Sequence, residues 1–503
     1  MLYKFIIINY YFVIGEMEGE VCKIIESQKG KNMIVINGYV MVKNKCRDDL
    51  FYWECKHRNH SAGGKHAEGF CKARASTVYT NGQHTLRKSS EHNHAPKPTD
   101  TIISEKVTTM KRIAAISQEQ PAQIIQAVAS EMSNISRMEL PSYKALKKVV
   151  KRTQNKNNPP EPQTLDDLHI PDELKYTTSG ELFLLRESNN DNDKLLLFSC
   201  ENNIKKLGEA TFWIMDGTFK TAPNIFLQLY SIHAPVGGEE NSRILPLVYI
   251  LMSRKCEDLY NRAFQDLSDI AAEFNVQLAP QFILSDFEKA AINASSTEFQ
   301  TTTNKGCFFH LCQNIWRKIQ SCGLSVLYGQ DENFCLLMRQ IAALAFLPNA
   351  EIPEAFGELK NILPPTAEEV VTWFEENYVN GRLRHINRRE VRVPPLFQPQ
   401  LWSVYDNEIN GIPRTQNKVE GWHRRWQILV GKNHPGIFYI IKQLRQEQDS
   451  TAAEMESIIL GQPRPKRKKQ YVEKDQRLAT IENDRHNRTT LEFLRGIAYN
   501  LSF

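Results

Sequence analysis

Met33 to Val42 reads as two apolar runs broken by Asn37-Gly38, a pair suited to the two positive-φ positions of a type I′ turn, so a β-hairpin is expected there. A further strand-like run, Leu50 to Cys55, follows a polar turn. Between 100 and 155 the apolar spacing becomes helical and gives two or three helices. Ser117-Gln-Glu-Gln120 ahead of Pro121 has the form of a capping box. Pro141 opens a helix with Tyr143, Leu146 and Val150 on one face and Lys144, Lys147, Lys148 and Lys151 on another. That basic face is either solvated or a DNA-contacting helix in a helix-turn-helix-like arrangement. After an Asn- and Pro-rich linker the pattern turns α/β. Strands are predicted at 194–199, 210–216, 225–232, 244–251, 281–285 and 305–310, with a helix at 256–274. Residues 311–378 are nearly all helical, and helices resume at 417–430 and 435–460.

A chain of 503 residues is long enough for two to four domains, and 41% apolar content can build cores in most of them. The net charge of +5 permits nucleic-acid binding without arguing for it, so the distribution of charge has to decide. Ten cysteines are too sparse for a secreted disulfide framework and point to reduced thiols in the cytosol or nucleus, some holding metal. Tyr3 to Gly15 is apolar but short of the ~20 residues a bilayer span needs, and no small-residue cleavage site follows. We read it as an upstream extension with Met17 as the natural start, and expect no membrane contact.

Cys55, Cys71, His92 and His94 are spaced C-x15-C-x20-H-x-H, two thiolates and two imidazoles of the kind tetrahedral zinc takes. Spacing alone leaves the set open, because Cys46, His57, His60, His66 and His84 share the stretch. Leu50-Phe-Tyr-Trp53-x-Cys55, Cys71-Lys-Ala-Arg74 and His92-Asn-His94 together resemble the FLYWCH zinc finger over its whole length. The resemblance implies Cys55, Cys71, His92 and His94 as ligands of a structural Zn²⁺, with Tyr52 and Trp53 packing beside it. The long insertion Lys56–Phe70 departs from the family pattern and leaves the loop open, not the ligands. Basic residues such as Lys43, Lys45, Arg47, Arg74 and Lys88 outnumber acids here, which suits contact with DNA phosphates. Modules of this kind also serve protein contacts.

Asp216 follows the apolar run Thr211–Met215, and Asp286 follows Gln281–Ser285. Acids just past buried strands are costly unless neutralised, so each calls for a cation or a capped turn, and the pattern alone leaves both readings standing. Adjacent strands would bring the pair within reach of shared Mg²⁺, and a helical acid would complete a two-metal phosphodiester site. Trp213-Ile-Met-Asp216-Gly-Thr-Phe-Lys220, Gln228-Leu-Tyr-Ser-Ile-His233, Leu284-Ser-Asp286 and Gly306-Cys-Phe-Phe-His310 look like the transposase domain of Mutator-like elements. The resemblance implies a ribonuclease H-like α/β core with a helical insertion, Asp216 and Asp286 as the first catalytic acids, and Mg²⁺ or Mn²⁺ as cofactor. Arg414–His423 is similar to the family segment carrying the third acid, which gives Glu420, although Gln416 stands where an asparagine is usual. Glu288 is its rival. Cys307-x2-His310 matches the family's Cys/His motif and is read as packing or orienting the site, contacting DNA, or half of a zinc site.

The expected organisation is an N-terminal extension (1–21), the zinc finger (22–96), a helical linker region (97–163), the first part of the core (164–330), a helical insertion (331–413), core completion with the third acid (414–460) and a basic tail (461–503). Arg382, Arg384, Arg388, Arg389 and Arg392 crowd one stretch, as a groove for DNA ends or a charged loop. Pro463-Arg-Pro-Lys-Arg-Lys-Lys469 reads as a nuclear import signal. The expected function is a DNA transposase, or a protein derived from one, acting on double-stranded DNA in the nucleus as a homo-oligomer. The alternative is a catalytically silent, host-captured DNA-binding regulator that keeps the finger.

Overall fold

Asn37 (φ 49°) and Gly38 (φ 80°) both take left-handed backbone conformations, so the predicted hairpin turns at that pair. It belongs to a closed antiparallel barrel of β1 (Val21–Glu26), β2 (Asn32–Ile36), β3 (Tyr39–Arg47), β4 (Leu50–Cys55), β5 (Arg74–Thr80) and β6 (Gln83–Ser89). The computed structural model describes residues 19–26, 31–58, 71–117, 119–156, 159–190, 193–238, 240–386 and 389–501. The N-terminal extension, His60, His66, most of the Lys56–Phe70 insertion and Arg388 lie outside them. Ile34, Met41, Trp53, Ala75 and Leu86 fill the barrel. Trp53 Nε1 donates to Thr77 Oγ1 at 2.8 Å, and that hydroxyl bonds His84 Nδ1 at 3.0 Å. Leu86 is the one large apolar side chain that β5 and β6 send inside, beside Ala75, Thr77 and His84, a pattern too weak to read as strands in advance.

The barrel shares a unit, residues 1–159, with α1 (Pro98–Ile116), α2 (Pro121–Ser130), α3 (Asn134–Met138) and α4 (Tyr143–Asn155). Val107, Met110, Ile124, Val128, Leu146 and Val150 form the core of this bundle and leave Lys144, Lys147, Lys148, Lys151 and Arg152 exposed on α4. The capping box falls at Gln120 and Gln123, three residues after its predicted place. Pro121 fixes the first helical position, and Ser117 already ends α1.

The second unit, 160–503, is built on a sheet of β7 (Leu184–Asn190), β8 (Asp193–Phe198), β9 (Phe212–Thr218), β10 (Gln228–Val236), β11 (Arg243–Met252), β12 (Phe282–Ser285) and β13 (Thr303–Gly306). Their order across it is β13-β12-β9-β10-β11-β8-β7. β9, β10 and β11 make an antiparallel meander, and β12 and β13 run parallel to β9. The helices follow in chain order as α5 (Glu201–Glu209), α6 (Glu257–Glu273), α7 (Lys289–Glu298), α8 (Phe308–Ser321), α9 (Ser325–Gln330), α10 (Glu332–Ala343), α11 (Ile352–Lys360) and α12 (Glu368–Phe374). A ribbon of β14 (Arg382–Ile386) and β15 (Arg389–Val393) precedes α13 (Pro399–Trp402), α14 (Asn417–Val430), α15 (Ile437–Ile459), α16 (Lys469–Asn483) and α17 (Thr490–Tyr499).

Strand alternation sends Leu195, Leu197, Trp213, Met215 and Ile250 to the face covered by α5, α6 and α7. Leu196, Phe198, Leu229, Tyr249 and Leu251 go to the other face, against Trp422 and Trp426 of α14 and Ile440, Ile441 and Leu444 of α15. A separate apolar core joins α8 and α10–α13 to Phe493, Leu494 and Ile497 of α17. Residues 461–503 are therefore more than a basic tail. The apolar residues of α17 recur at helical spacing and complete the insertion's core, and the basic run itself lies in exposed chain ahead of α16. Among the described residues no helix is long and apolar enough to cross a membrane.

Candidate functional site

Cys55 closes β4, Cys71 precedes β5, and His92 and His94 follow β6, so closing the barrel gathers side chains distant in sequence. Their ligand atoms lie within 4.8 Å of one another, and no other group of three or more such side chains does so among the described residues. Cys55 Sγ is 3.2 Å from His94 Nε2, Cys71 Sγ is 3.3 Å from His92 Nδ1, and the two ring nitrogens are 3.4 Å apart. Zn–S and Zn–N bonds of ~2.3 and ~2.0 Å give tetrahedral edges of roughly 3.3–3.8 Å, so the spacing suits one zinc ion. His94 Nδ1 is bonded to Ala95 O at 2.9 Å, which leaves Nε2 as the free lone pair. Tyr39 braces the set, its ring stacked on His92 at 3.7 Å and its hydroxyl donating to His94 O at 2.8 Å. Burial pushes the Cys55 thiol up to about 11, so a thiolate there calls for a cation. Cys46 is exposed and His84 is tied into the barrel core; neither joins the group.

In the second unit the β9–β12 ladder ends at Ile214 and Leu284. β9 continues along β10 as far as Thr218, so Asp216 sits inside a strand, opposite Ser231, and not past a strand end as its sequence suggested. Asp216 Oδ1 accepts the Gly217 N–H at 2.8 Å, and Oδ2 lies 3.2 Å from His423 Nε2. Asp286 follows β12, and its Oδ1 accepts the Glu288 N–H at 3.3 Å. Glu420 occupies the first turn of α14, and His310 the first turn of α8.

Burial raises the Asp286 carboxyl to about 6, and the charges of Asp216 and Glu288 push it the same way. Glu420 is raised by burial and by Asp216, with His310 and His423 opposing. Burial lowers His310, while Asp216 and Glu420 pull it back up. Asp216 thus acts on Asp286, Glu420 and His310, and His310 and His423 act on Glu420, in a half-buried part of the unit. Glu420 Oε1, His310 Nδ1 and both ring nitrogens of His423 are buried there without a hydrogen-bond partner; His423 is at ion-pair distance from Asp216 but not aligned to bond. Crowded carboxylates and orphaned lone pairs fit a hard divalent cation such as Mg²⁺ or Mn²⁺. As a trio the acids do not close to the spacing of the Cys/His cluster.

Glu288 is paired with Lys255 at 2.6 Å. Cys307 is the one residue between β13, which stops at Gly306 and not at the expected residue 310, and α8, which begins at Phe308. Burial pushes its thiol up to about 12, and Sγ accepts the Gln416 N–H at 3.4 Å. Sequence reasoning passed over His423. Its signal was the three-residue spacing from Glu420, which puts both on one face of α14.

The chain thus joins a β-barrel whose strand ends collect thiols and imidazoles to an α/β core whose central strands deliver acids to a helix. Residues 24–94 match the FLYWCH zinc finger domain and residues 212–314 match the MULE transposase domain. The first match contains the whole Cys/His cluster, which together with it supports a structural zinc. The second makes the core transposase-like and contains Asp216, Asp286, Cys307 and His310; Glu420 lies beyond it. No curated protein matches the chain.

Proposed function

We propose that this chain is a DNA transposase, or a protein derived from one, that binds double-stranded DNA and cuts and joins strands in a ribonuclease H-like core. The strand order supports that fold: a three-stranded meander with two strands added in parallel beside its first. What supports the catalytic reading is the placement of Asp216 on β9, Asp286 just past the end of the neighbouring β12, and Glu420 in the first turn of α14, with Asp216 raising the other two carboxyls. Asp216 on β9, Asp286 just past β12 and Glu420 on α14 would hold a pair of divalent cations, which would supply activation of a water or 3′-hydroxyl and stabilise the leaving oxygen. His423 Nε2 lies at ion-pair distance, 3.2 Å, from Asp216 Oδ2.

Contact with DNA is assigned to two basic surfaces of the first unit. Strand register sets Lys45, Tyr52, Ser76 and Lys88 in a row across β3, β4, β5 and β6, with Lys45 Nζ 5.0 Å from the centre of the Tyr52 ring. α4 adds five exposed cations and has no acid among its 13 residues. Import into the nucleus through the exposed basic run ahead of α16, and action as a dimer or larger, belong to the same reading.

The test is strand nicking by purified chain, with Mg²⁺ or Mn²⁺, on DNA bearing the ends that flank its own reading frame. Nicking by wild type and none by Asp216→Ala or Asp286→Ala is expected. Unchanged nicking by both variants would refute the assignment. Salt-sensitive DNA binding with no nicking under any of these conditions would favour the silent regulator.

A further inference from the structure

Gln416 lies immediately ahead of α14 and is fully buried. A buried carboxamide is costly unless its hydrogen-bonding sites are used, yet Oε1 of this one has no partner. Its nitrogen is committed to the strands: Nε2 donates to Met215 O at 3.3 Å and to Leu284 O at 3.1 Å. Those carbonyls belong to β9 and β12 where their ladder stops, Ile214 opposite Leu284 being the last pair. A continuing ladder would hold the strands ~4.8 Å apart. Where the ladder stops, the amide bridges the two strands in its place. Reversing it would set an oxygen against two carbonyl oxygens, so chemistry fixes which end faces the strands.

Asp216 is the residue after Met215, and Asp286 comes two after Leu284. Gln416 makes two more connections through its backbone. Its N–H donates to Cys307 Sγ at 3.4 Å, at the start of the helix that carries His310, and its carbonyl accepts the Glu420 N–H at 2.9 Å. We propose that Gln416 is the positioning residue of the acid cluster: it sets the separation of Asp216 and Asp286 through the carbonyls of β9 and β12, and registers Glu420 against them. The inference rests on reading the cluster as a divalent-cation site.

The test is Mn²⁺ affinity of the full zinc-loaded chain, followed by the electron paramagnetic resonance signal of free Mn²⁺, alongside thermal melting. Gln416→Met keeps the volume and removes both donors; affinity should fall about 10–100-fold, as when a metal site loses a supporting hydrogen bond. Gln416→Asn keeps the amide on a shorter arm that reaches one carbonyl, and should fall between Gln416→Met and wild type. Ile412→Ala truncates the apolar cluster that holds Ile214, Leu284 and Cys307, without touching the amide. It should lower the melting temperature and leave Mn²⁺ affinity unchanged. Wild-type affinity in Gln416→Met would overturn the proposal, as would an equal loss in Ile412→Ala, which would reduce the role to packing. Should Gln416→Met fail to fold, wild-type affinity in Gln416→Asn overturns it. A wild-type chain that binds no Mn²⁺ would overturn the cation-site reading, and this inference with it.

Discussion

Cys55, Cys71, His92 and His94 converge to within 4.8 Å of one another, whereas Asp216, Asp286 and Glu420 are held on three elements and do not close to that distance. The first group sits at the open strand ends of a small barrel with a thin core, where an ion contributes to folding directly. The second stands on a large sheet packed on both faces, with Trp213, Phe264 and Tyr249 fully buried, so the fold does not depend on an ion there. Asp286 and Glu420 are both raised by burial and by the charge of Asp216. The thiols and imidazoles are already gathered to the spacing of one ion, and the acids of the second unit are not.

The largest effect should come from breaking the first site. Zinc chelation, or Cys71→Ser, should abolish the barrel's melting transition, since structural zinc in small fingers contributes on the order of 10 kcal/mol, and should leave the core's transition in place. Calorimetry of the full chain reads both. Next is the second site: Asp216→Ala should cut nicking at least ~1000-fold, about 4 kcal/mol of transition-state stabilisation, without moving either transition. A smaller effect sharpens the contrast within the zinc site. Tyr39→Phe removes the hydroxyl held by His94 O and keeps the stacked ring, so zinc affinity measured by competition with a chromophoric chelator should fall about tenfold. Smallest is the basic helix. Each of Lys147→Gln and Lys148→Gln should reduce the slope of log binding against log salt by about one, with little change in either metal.

Much of this was legible in the chain. The zinc ligands were readable because the motif keeps Cys55, Cys71, His92 and His94 in order around recognisable strands. Asp216 and Asp286 stood out because each follows a run of large apolar residues, but that pattern left a capped turn as open as a cation, and only the family resemblance gave them an expected role. Closure of the barrel was not, since β5 and β6 have Ala75, Thr77 and His84 where long apolar side chains would have announced a strand. Glu420 needed the family resemblance, because only tertiary packing returns α14 to β9 across the helical insertion. His423 and Gln416 were hidden for the same reason. The meaning of a buried amide depends on two carbonyls, 201 and 132 positions earlier, that come together only in the folded sheet.

The central claim is that one chain holds two metal sites of different kinds, and metal counting by native mass spectrometry tests it most directly. Wild-type chain dialysed against buffer and then given Mn²⁺ should retain one zinc and take up Mn²⁺. Asp216→Asn combined with Asp286→Asn should keep the zinc and lose the Mn²⁺, and Cys71→Ser should lose the zinc. Equal Mn²⁺ uptake by wild type and the double aspartate variant, or zinc retained by Cys71→Ser, would contradict the account.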